Sequence, residues 1–144
     1  MSTFKHIYNE KLKVIAEQEN IDPKTLKKYV ETIDSHFKKM KEHAKKGVNA
    51  HKGKRPYGWD RDFERVLESI ERHEKLMKLV KAKSARTRMF HTLIRLNNDL
   101  KSERKKVESD KSLSPREKEG YTIFMDPIIK ELGQLLNKIH FSNF

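Results

Sequence analysis

Residues 22–44, DPKTLKKYVETIDSHFKKMKEHA, contain the most regular pattern in the chain. Asp22 followed by Pro23 is a helix-start signal, because the carboxylate can accept a backbone N–H and the proline has no N–H to leave unpaired. Apolar residues then recur at alternating intervals of four and three positions, namely Leu26, Val30, Ile33, Phe37, Met40 and Ala44. This spacing predicts a long helix that packs lengthwise against near-parallel neighbours.

A shorter apolar pattern precedes this stretch. Five apolar residues recur at helical spacing, namely Phe4, Ile7, Tyr8, Leu12 and Ile15. The pattern predicts an amphipathic helix that ends near Asn20, just before the start signal of the next one. Residues 1–46 are therefore expected to form an N-terminal helical hairpin.

The helical pattern stops in residues 47–60, GVNAHKGKRPYGWD, where three glycines and a proline predict a basic, aromatic-bearing loop. Asp60 is expected to cap the helix that follows. From Phe63 to Leu100 the helical pattern returns, but its apolar positions become sparse around Ser84. This stretch is predicted to be either one continuous helix or a helix with a bend or break near Ser84.

The C-terminal part contains two further start signals. Ser114 and Glu117 flank Pro115 with the spacing of a capping box, and Asp126 before Pro127 repeats the combination of cap and proline. The last segment is therefore predicted to be one kinked helix or two short ones. Its second half has a strong apolar face made of Ile128, Ile129, Leu132, Leu135, Leu136 and Ile139.

Composition limits how these helices can be arranged. The chain has 144 residues, of which 35% are hydrophobic and 38% are charged, so the core must be narrow. Glycine and proline occur at too few places to supply the turns of a sandwich or barrel. We predict a single all-α domain over 1–144, an elongated bundle of four or five helices in which residues 61–144 form a long basic helix and C-terminal helices.

The charge balance points to a polyanionic partner. Thirty-three Lys and Arg against 21 Asp and Glu give a formal net charge of +12, and the pI is near 9.8. An excess of this size concentrates polyanions around a protein, which makes nucleic acid, DNA or RNA, the expected ligand. No apolar run is long enough to span a membrane, no signal peptide is evident and cysteine is absent, so we expect a cytoplasmic or nuclear protein.

Residues 15–30, IAEQENIDPKTLKKYV, resemble the helix-turn-helix motif of DNA-binding domains. Seven residues carry the resemblance: Ile15, Ala16, Asn20, Ile21, Leu26, Tyr29 and Val30. It implies that the helix from Pro23 enters a major groove and presents Lys24, Thr25, Lys27 and Lys28 to DNA. The alternative is an ordinary helical hairpin that uses the same residues for packing alone.

Two other groups of cations are candidate phosphate contacts. The first contains no acidic residue and consists of Lys75, Lys78, Lys81, Lys83, Arg86 and Arg88, with Arg95 extending it. The second lies in the predicted loop, where Lys52, Lys54 and Arg55 stand beside Tyr57 and Trp59, a mixture suited to single-stranded nucleic acid. Alternatively, Tyr57 and Trp59 fold back and cover the end of the bundle.

Signatures of catalysis are missing. The chain has no HExxH pair, glycine-rich phosphate loop or Gly-x-Ser-x-Gly elbow, and neither a metal site nor a cofactor is predicted. We therefore expect a non-catalytic nucleic-acid-binding or accessory protein. The alternative is a protein-interaction module, an adaptor or inhibitor that pairs with a partner or a second copy through the apolar face of the second helix and a C-terminal face ending in Ile139, Phe141 and Phe144.

Overall fold

The structure is a computed structural model that describes residues 23–54, 57–78 and 83–140. This part of the chain contains four helices and no strand: α1 (Pro23–His51), α2 (Trp59–Lys78), α3 (Lys83–Glu108) and α4 (Pro115–His140). The predicted all-α class is confirmed for these residues. The first helix of the predicted hairpin, with Phe4 to Ile15, lies outside them, as do Phe141 and Phe144.

Helix α1 follows the heptad pattern of its sequence. It begins at the predicted Pro23, and Ile33, Phe37, Met40 and Ala44 are all 2% exposed or less. Alternating steps of four and three keep these side chains on one side of the helix, where they meet neighbouring helices that run alongside. The predicted packing face of α1 is confirmed at these four positions.

The end of α1 differs from the prediction. The helix continues to His51, so Gly47 lies inside it and the connection to α2 spans residues 52–58. Gly47 is buried, and a Cβ added to it would come within 2.6 Å of the Cγ atom of Phe63. The glycine therefore permits a close approach of α2 and does not end the helix.

The start of α2 also differs from the prediction. The helix begins at Trp59, one residue before the predicted cap. The carbonyl of Gly58, a residue with a φ of 66°, accepts the first backbone hydrogen bonds from Arg61 and Asp62. Asp60 lies in the first turn, where its carboxylate accepts the N–H of Gly53 and thereby ties the loop to the helix.

The stretch from Phe63 to Leu100 is not one continuous helix. Burial raises the pKa of Asp62 in the first turn of α2, Arg65 opposes this, and the carboxylate of Glu103 raises it further. Asp62 and Glu103 are therefore close, although a single straight helix would hold them about 60 Å apart. Helices α2 and α3 therefore run in opposite directions, and Ser84 lies within α3.

Helix α4 is one helix with Pro127 inside it, so Asp126 does not begin a separate helix. The capping box at its start is confirmed in both directions: Ser114 N–H donates to Glu117 Oε1 at 3.1 Å, and Glu117 N–H donates to Ser114 Oγ at 3.2 Å. Asp126 instead accepts hydrogen bonds from Arg104 of α3.

The four helices run alternately up and down. Lys41 of α1 pairs with Glu74 of α2 at 3.1 Å, and the ring of Phe63 covers Gly47, so α1 and α2 are antiparallel. Helices α1 and α4 are also antiparallel, because His36 bonds to Glu131 and His51 to Gly120. The bonds of Arg104 to Asp126 and of Lys118 Nζ to the carbonyl of Glu108 show the same for α3 and α4. The centre of the bundle is filled by fully buried side chains from all four helices, among them Phe37, Met40, Phe63, Ile70, Leu93, Tyr121, Met125, Ile128, Leu132 and Leu135.

Candidate nucleic-acid interface

The antiparallel arrangement gathers two predicted groups of cations at one end of the bundle. The starts of α1 and α3 and the end of α2 lie at the same end, because each helix reverses the direction of the one before it. Lys24, Lys27 and Lys28 therefore lie at the same end as the group from Lys75 to Arg95. We call residues 23–30, 75–78 and 83–95 the basic end.

The residues of the basic end carry a single sign of charge, and Glu31 of α1 and Glu74 of α2 stand directly beyond it. Its residues include nine Lys and Arg and no Asp or Glu. Five of these cations have described side chains, and all five are exposed: Lys24, Lys27, Lys28, Lys75 and Arg95. Lys78, Lys83, Arg86 and Arg88 occupy helical positions at this end, and Lys81 lies outside the described residues.

Few carboxylates approach these cations. Within the part of the chain that the structure describes, Lys27, Lys28, Lys75 and Arg95 have no acidic side chain at ion-pair distance. Like charges that are exposed and unpaired repel one another, and a phosphate backbone would relieve that repulsion. The final turns of α4 also contribute no acid, and Lys138 there donates to His36 Nε2 at 3.0 Å.

The helix termini strengthen the asymmetry between the two ends. The first turns of α1 and α3, at the basic end, contain no acidic residue. The first turns of α2 and α4, at the opposite end, contain Asp60, Asp62 and Glu117. Because a helix start carries partial positive charge, the acidic residues offset it at one end while lysines and arginines add to it at the other.

At the opposite end, which we call the mixed end (residues 52–65 and 99–119), positive and negative charges alternate and several are paired. Arg104 contacts both Glu108 and Asp126, and its hydrogen bond to Asp126 raises the pKa of its guanidinium. Hydrogen bonds from Ser112 lower the pKa of Asp110. This end therefore offers a polyanion much less net charge than the basic end does.

The predicted loop lies at the mixed end. Lys52 and Lys54 are exposed, whereas Arg55 lies outside the described residues. Along α1 the loop is about 40 Å from Lys24, given a rise of 1.5 Å per residue. The loop cations and the basic end are therefore separate surfaces.

The two loop aromatics support the alternative prediction, in which they cover the end of the bundle. Trp59 is 7% exposed, and its ring packs against Tyr57 at 4.6 Å, His51 at 5.2 Å and Tyr121 at 5.4 Å between centroids. His51 donates its Nε2–H to the carbonyl of Gly120 at 2.7 Å, which fixes this cluster to α4. Tyr57 remains 39% exposed, but the indole of Trp59 is not accessible to a base in this arrangement.

The structure describes only the second part of the stretch that resembles a helix-turn-helix motif, from Pro23 onward. Ile15, Ala16, Asn20 and Ile21 lie outside the described residues. Tyr29 is buried and Val30 half-buried, while Lys24, Lys27 and Lys28 face solvent, as the resemblance implies for a recognition helix. The same pattern suits a packed hairpin, so both interpretations of this stretch stay open.

The faces invoked for the protein-interaction alternative are largely used inside the bundle. Phe37 and Met40 of α1 and Ile128 and Leu132 of α4 are fully buried. They pack against neighbouring helices of the same chain, so they are not free for a partner. Large apolar side chains that are exposed among the described residues are few, namely Tyr57, Leu76 and Ile123.

Sequence reasoning missed one group of cations. Lys38, Lys45 and Lys46 are exposed on the middle and final turns of α1. The apolar pattern of α1 points to its packing face and says nothing of the side opposite. Plotting the charged residues of α1 around the helix axis would have revealed this second face.

Neither a metal site nor a membrane-spanning helix is present in the described residues. No three His, Asp or Glu side chains there are placed so that they could hold a metal ion. None of the four helices combines the length and the apolarity required to cross a membrane.

Comparisons with protein families, with curated proteins and with solved structures give no match for this chain. What it does must therefore follow from its own geometry and charge.

Proposed function

We propose that the protein binds nucleic acid without catalysing a reaction, and that the basic end holds the phosphates. The observation that carries this proposal is the gathering of cations from three helices at one end of the bundle, with no acidic residue among them. Each phosphate contact would release condensed counterions, which gives binding its free energy and makes it sensitive to salt.

The proposed contacts come from both cation groups at this end. Lys24, Lys27 and Lys28 project from the first turns of α1, and the group from Lys75 to Arg95 comes from α2, α3 and their connection. In the finer form of the proposal, residues 1–46 form a helical hairpin whose second helix inserts its start into a duplex groove. The loop cations Lys52, Lys54 and Arg55, with Tyr57, would then touch nucleic acid only where it reaches the mixed end.

Binding of fluorescent DNA at increasing salt tests the proposal. We expect replacement of Lys81, Lys83, Arg86 and Arg88 by Gln to weaken binding and flatten the dependence of log K on log salt, by about 0.9 for each phosphate that is no longer neutralised. A second variant changes Lys24, Lys27 and Lys28 in the same way. If the first set matters and the second does not, the resemblance at residues 15–30 reflects packing alone.

The mixed end provides a matched control. Replacing Lys101, Lys105, Lys111 and Arg116 by Gln removes the same net charge from exposed positions, so a general effect of net charge would weaken binding equally. Equal effects of the two four-residue variants on affinity would contradict a localised site. If the unmodified protein fails to bind at low salt, the proposed function is wrong.

A further inference from the structure

The solvent-facing side of α1 carries lysines at its start, in its middle and near its end. Its exposed cations are Lys24, Lys27, Lys28, Lys38, Lys39, Lys45 and Lys46, followed in the loop by Lys52 and Lys54. Successive helical residues are rotated by about 100°, so the seven cations of the helix lie within roughly 120° of its circumference. This arc is opposite the buried side chains of α1, and we call these nine residues the α1 ridge.

The ridge extends from the basic end to the loop. Helix α1 has 29 residues, so it is about 43 Å long. The ridge thus connects the lysines at the start of α1, Lys24, Lys27 and Lys28, with the loop lysines Lys52 and Lys54. The exposed acidic residues on this arc are Glu31 and Glu42.

Most charges of the ridge are unpaired. Among the described residues, no carboxylate lies at ion-pair distance from Lys38, Lys45 or Lys46. Lys39 approaches Glu131 at 4.0 Å, the limit for an ion pair, and is 55% exposed. The middle of the ridge therefore presents three cations that form no ion pair, with Glu42 as the exposed acidic residue among them.

The composition of the ridge indicates whether it fits a membrane, a protein or a nucleic acid. Its exposed non-cationic residues are polar or acidic, such as Ser35 and Asn49, and α1 has no large exposed hydrophobic residue in its described part. An interfacial membrane helix needs an apolar face, and a stable protein interface is usually centred on apolar or aromatic anchors. A phosphate backbone needs neither, because it is bound through charge alone.

The rigidity of the ridge favours a duplex over a single strand. Proteins that bind single strands combine cations with aromatic rings on which bases stack, and no exposed aromatic residue lies on α1 in the described part. A helix of about 43 Å holds its charges along a straight line that matches about 12 to 13 base pairs of a duplex. A stiff duplex can lie along this line without bending.

We propose that the α1 ridge is a second phosphate-binding surface, continuous with the basic end, which lies along the backbone of a nucleic-acid duplex. This inference rests on the proposed function and extends it, because it names the form of the nucleic acid and the helix that follows it. Glu42 then weakens binding, since it places a negative charge among the ridge lysines.

The test measures binding of a DNA duplex of about 12 base pairs as a function of salt. We expect the variant K38Q/K45Q/K46Q to lower the magnitude of the slope of log K against log salt by about 2.7. Over a fourfold rise in salt, the affinity of the unmodified protein would then fall roughly 40-fold more than that of the variant. E42Q should have the opposite effect and bind the duplex more tightly.

The control variant K101Q/K105Q/K111Q removes three exposed charges from the mixed end. Far-UV circular dichroism and thermal unfolding establish that each variant is folded, as expected for substitutions at exposed positions. If the ridge variant and the control have the same slope, the ridge proposal is wrong. It is equally contradicted if a single strand of the same length binds as tightly as the duplex and is weakened as much in the ridge variant.

The basic-end variant separates this inference from the proposed function. If the variant lacking Lys81, Lys83, Arg86 and Arg88 does not bind while the ridge variant keeps the slope of the unmodified protein, the function stands and the ridge inference fails. If the unmodified protein binds the single strand at low salt but not the duplex, the function stands and the ridge inference fails. If it binds neither, both fail.

Discussion

At the scale of single residues, Gly47 shows how a position that reads as a helix breaker can be a packing requirement. Its Cα faces the ring of Phe63, and any side chain would occupy the space of that ring. The sequence shows the glycine but not which residue packs against it. Whether Gly47 forms a turn or permits a close approach of two helices could therefore not be predicted. Gly133 provides the contrast, because nothing lies within 4 Å of the Cβ it would gain.

We expect Gly47→Ala to lower the free energy of unfolding by about 1 to 2 kcal/mol, because overpacking against Phe63 outweighs the better helix propensity of alanine. Gly133→Ala, in α4, should instead raise it by about 0.5 to 1 kcal/mol. Urea unfolding followed by circular dichroism measures both changes. A Gly47→Ala variant as stable as Gly133→Ala would show that α1 and α2 do not approach as described.

Asp62 should make stability depend on pH. Burial is the main cause that raises its pKa, with Glu103 and Asp60 adding to the shift and Arg65 opposing it. A carboxyl whose pKa is raised by folding contributes stability below its ordinary value of 3.8 and loses that contribution as pH rises through the folded-state value. The ionised form therefore destabilises the fold at neutral pH.

Replacing Asp62 by Asn removes this dependence. We expect the melting temperature of the unmodified protein, relative to that of D62N, to decrease as pH rises from about 3 to 7. Glu64→Gln, an exposed residue of the same helix, serves as the control for removing a negative charge near the helix start. A constant difference between the unmodified protein and D62N across this range would exclude the proposed effect of burial.

At the scale of helices, the sequence predicted a helix start correctly where a side chain caps the backbone of its own helix. The starts at Pro23 and Pro115 were predicted because a cap and a proline act within one turn. The division into α2 and α3 was harder to predict, since the sequence between Lys78 and Lys83, LVKA, contains neither glycine nor proline. Asp126 with Pro127 had the same appearance as a start signal, yet Asp126 is held by Arg104 of another helix.

The capping box of α4 provides a prediction at this scale. We expect Ser114→Ala to lower the free energy of unfolding by about 1 kcal/mol, because the N–H of Glu117 loses its acceptor. Ser102→Ala changes an exposed serine inside α3 and should be neutral or slightly stabilising. Equal effects of the two substitutions on urea unfolding would mean that the capping box contributes nothing to stability.

For the whole molecule, the distribution of charge could be predicted only in part. The sequence shows that Lys75 to Arg88 has no acid, but it does not show that Lys24, Lys27 and Lys28 lie at the same end. That proximity follows from the alternating directions of the helices, a property of tertiary packing. The sequence also does not show which aromatic residues are buried. Trp59 was a candidate for base stacking, but its ring packs against His51 and Tyr121 in the core.

The most direct test of the account is to map where a nucleic-acid duplex touches the protein. Amide NMR shifts recorded during titration with a duplex of about 12 base pairs, at low salt, report contacts along the whole chain. We expect the shifts to concentrate at residues 23–30, 75–95 and the exposed face of α1, and to be reversed by added salt. Shifts confined to residues 99–119, or no shifts at all, would contradict the assignment of the basic end as the binding surface.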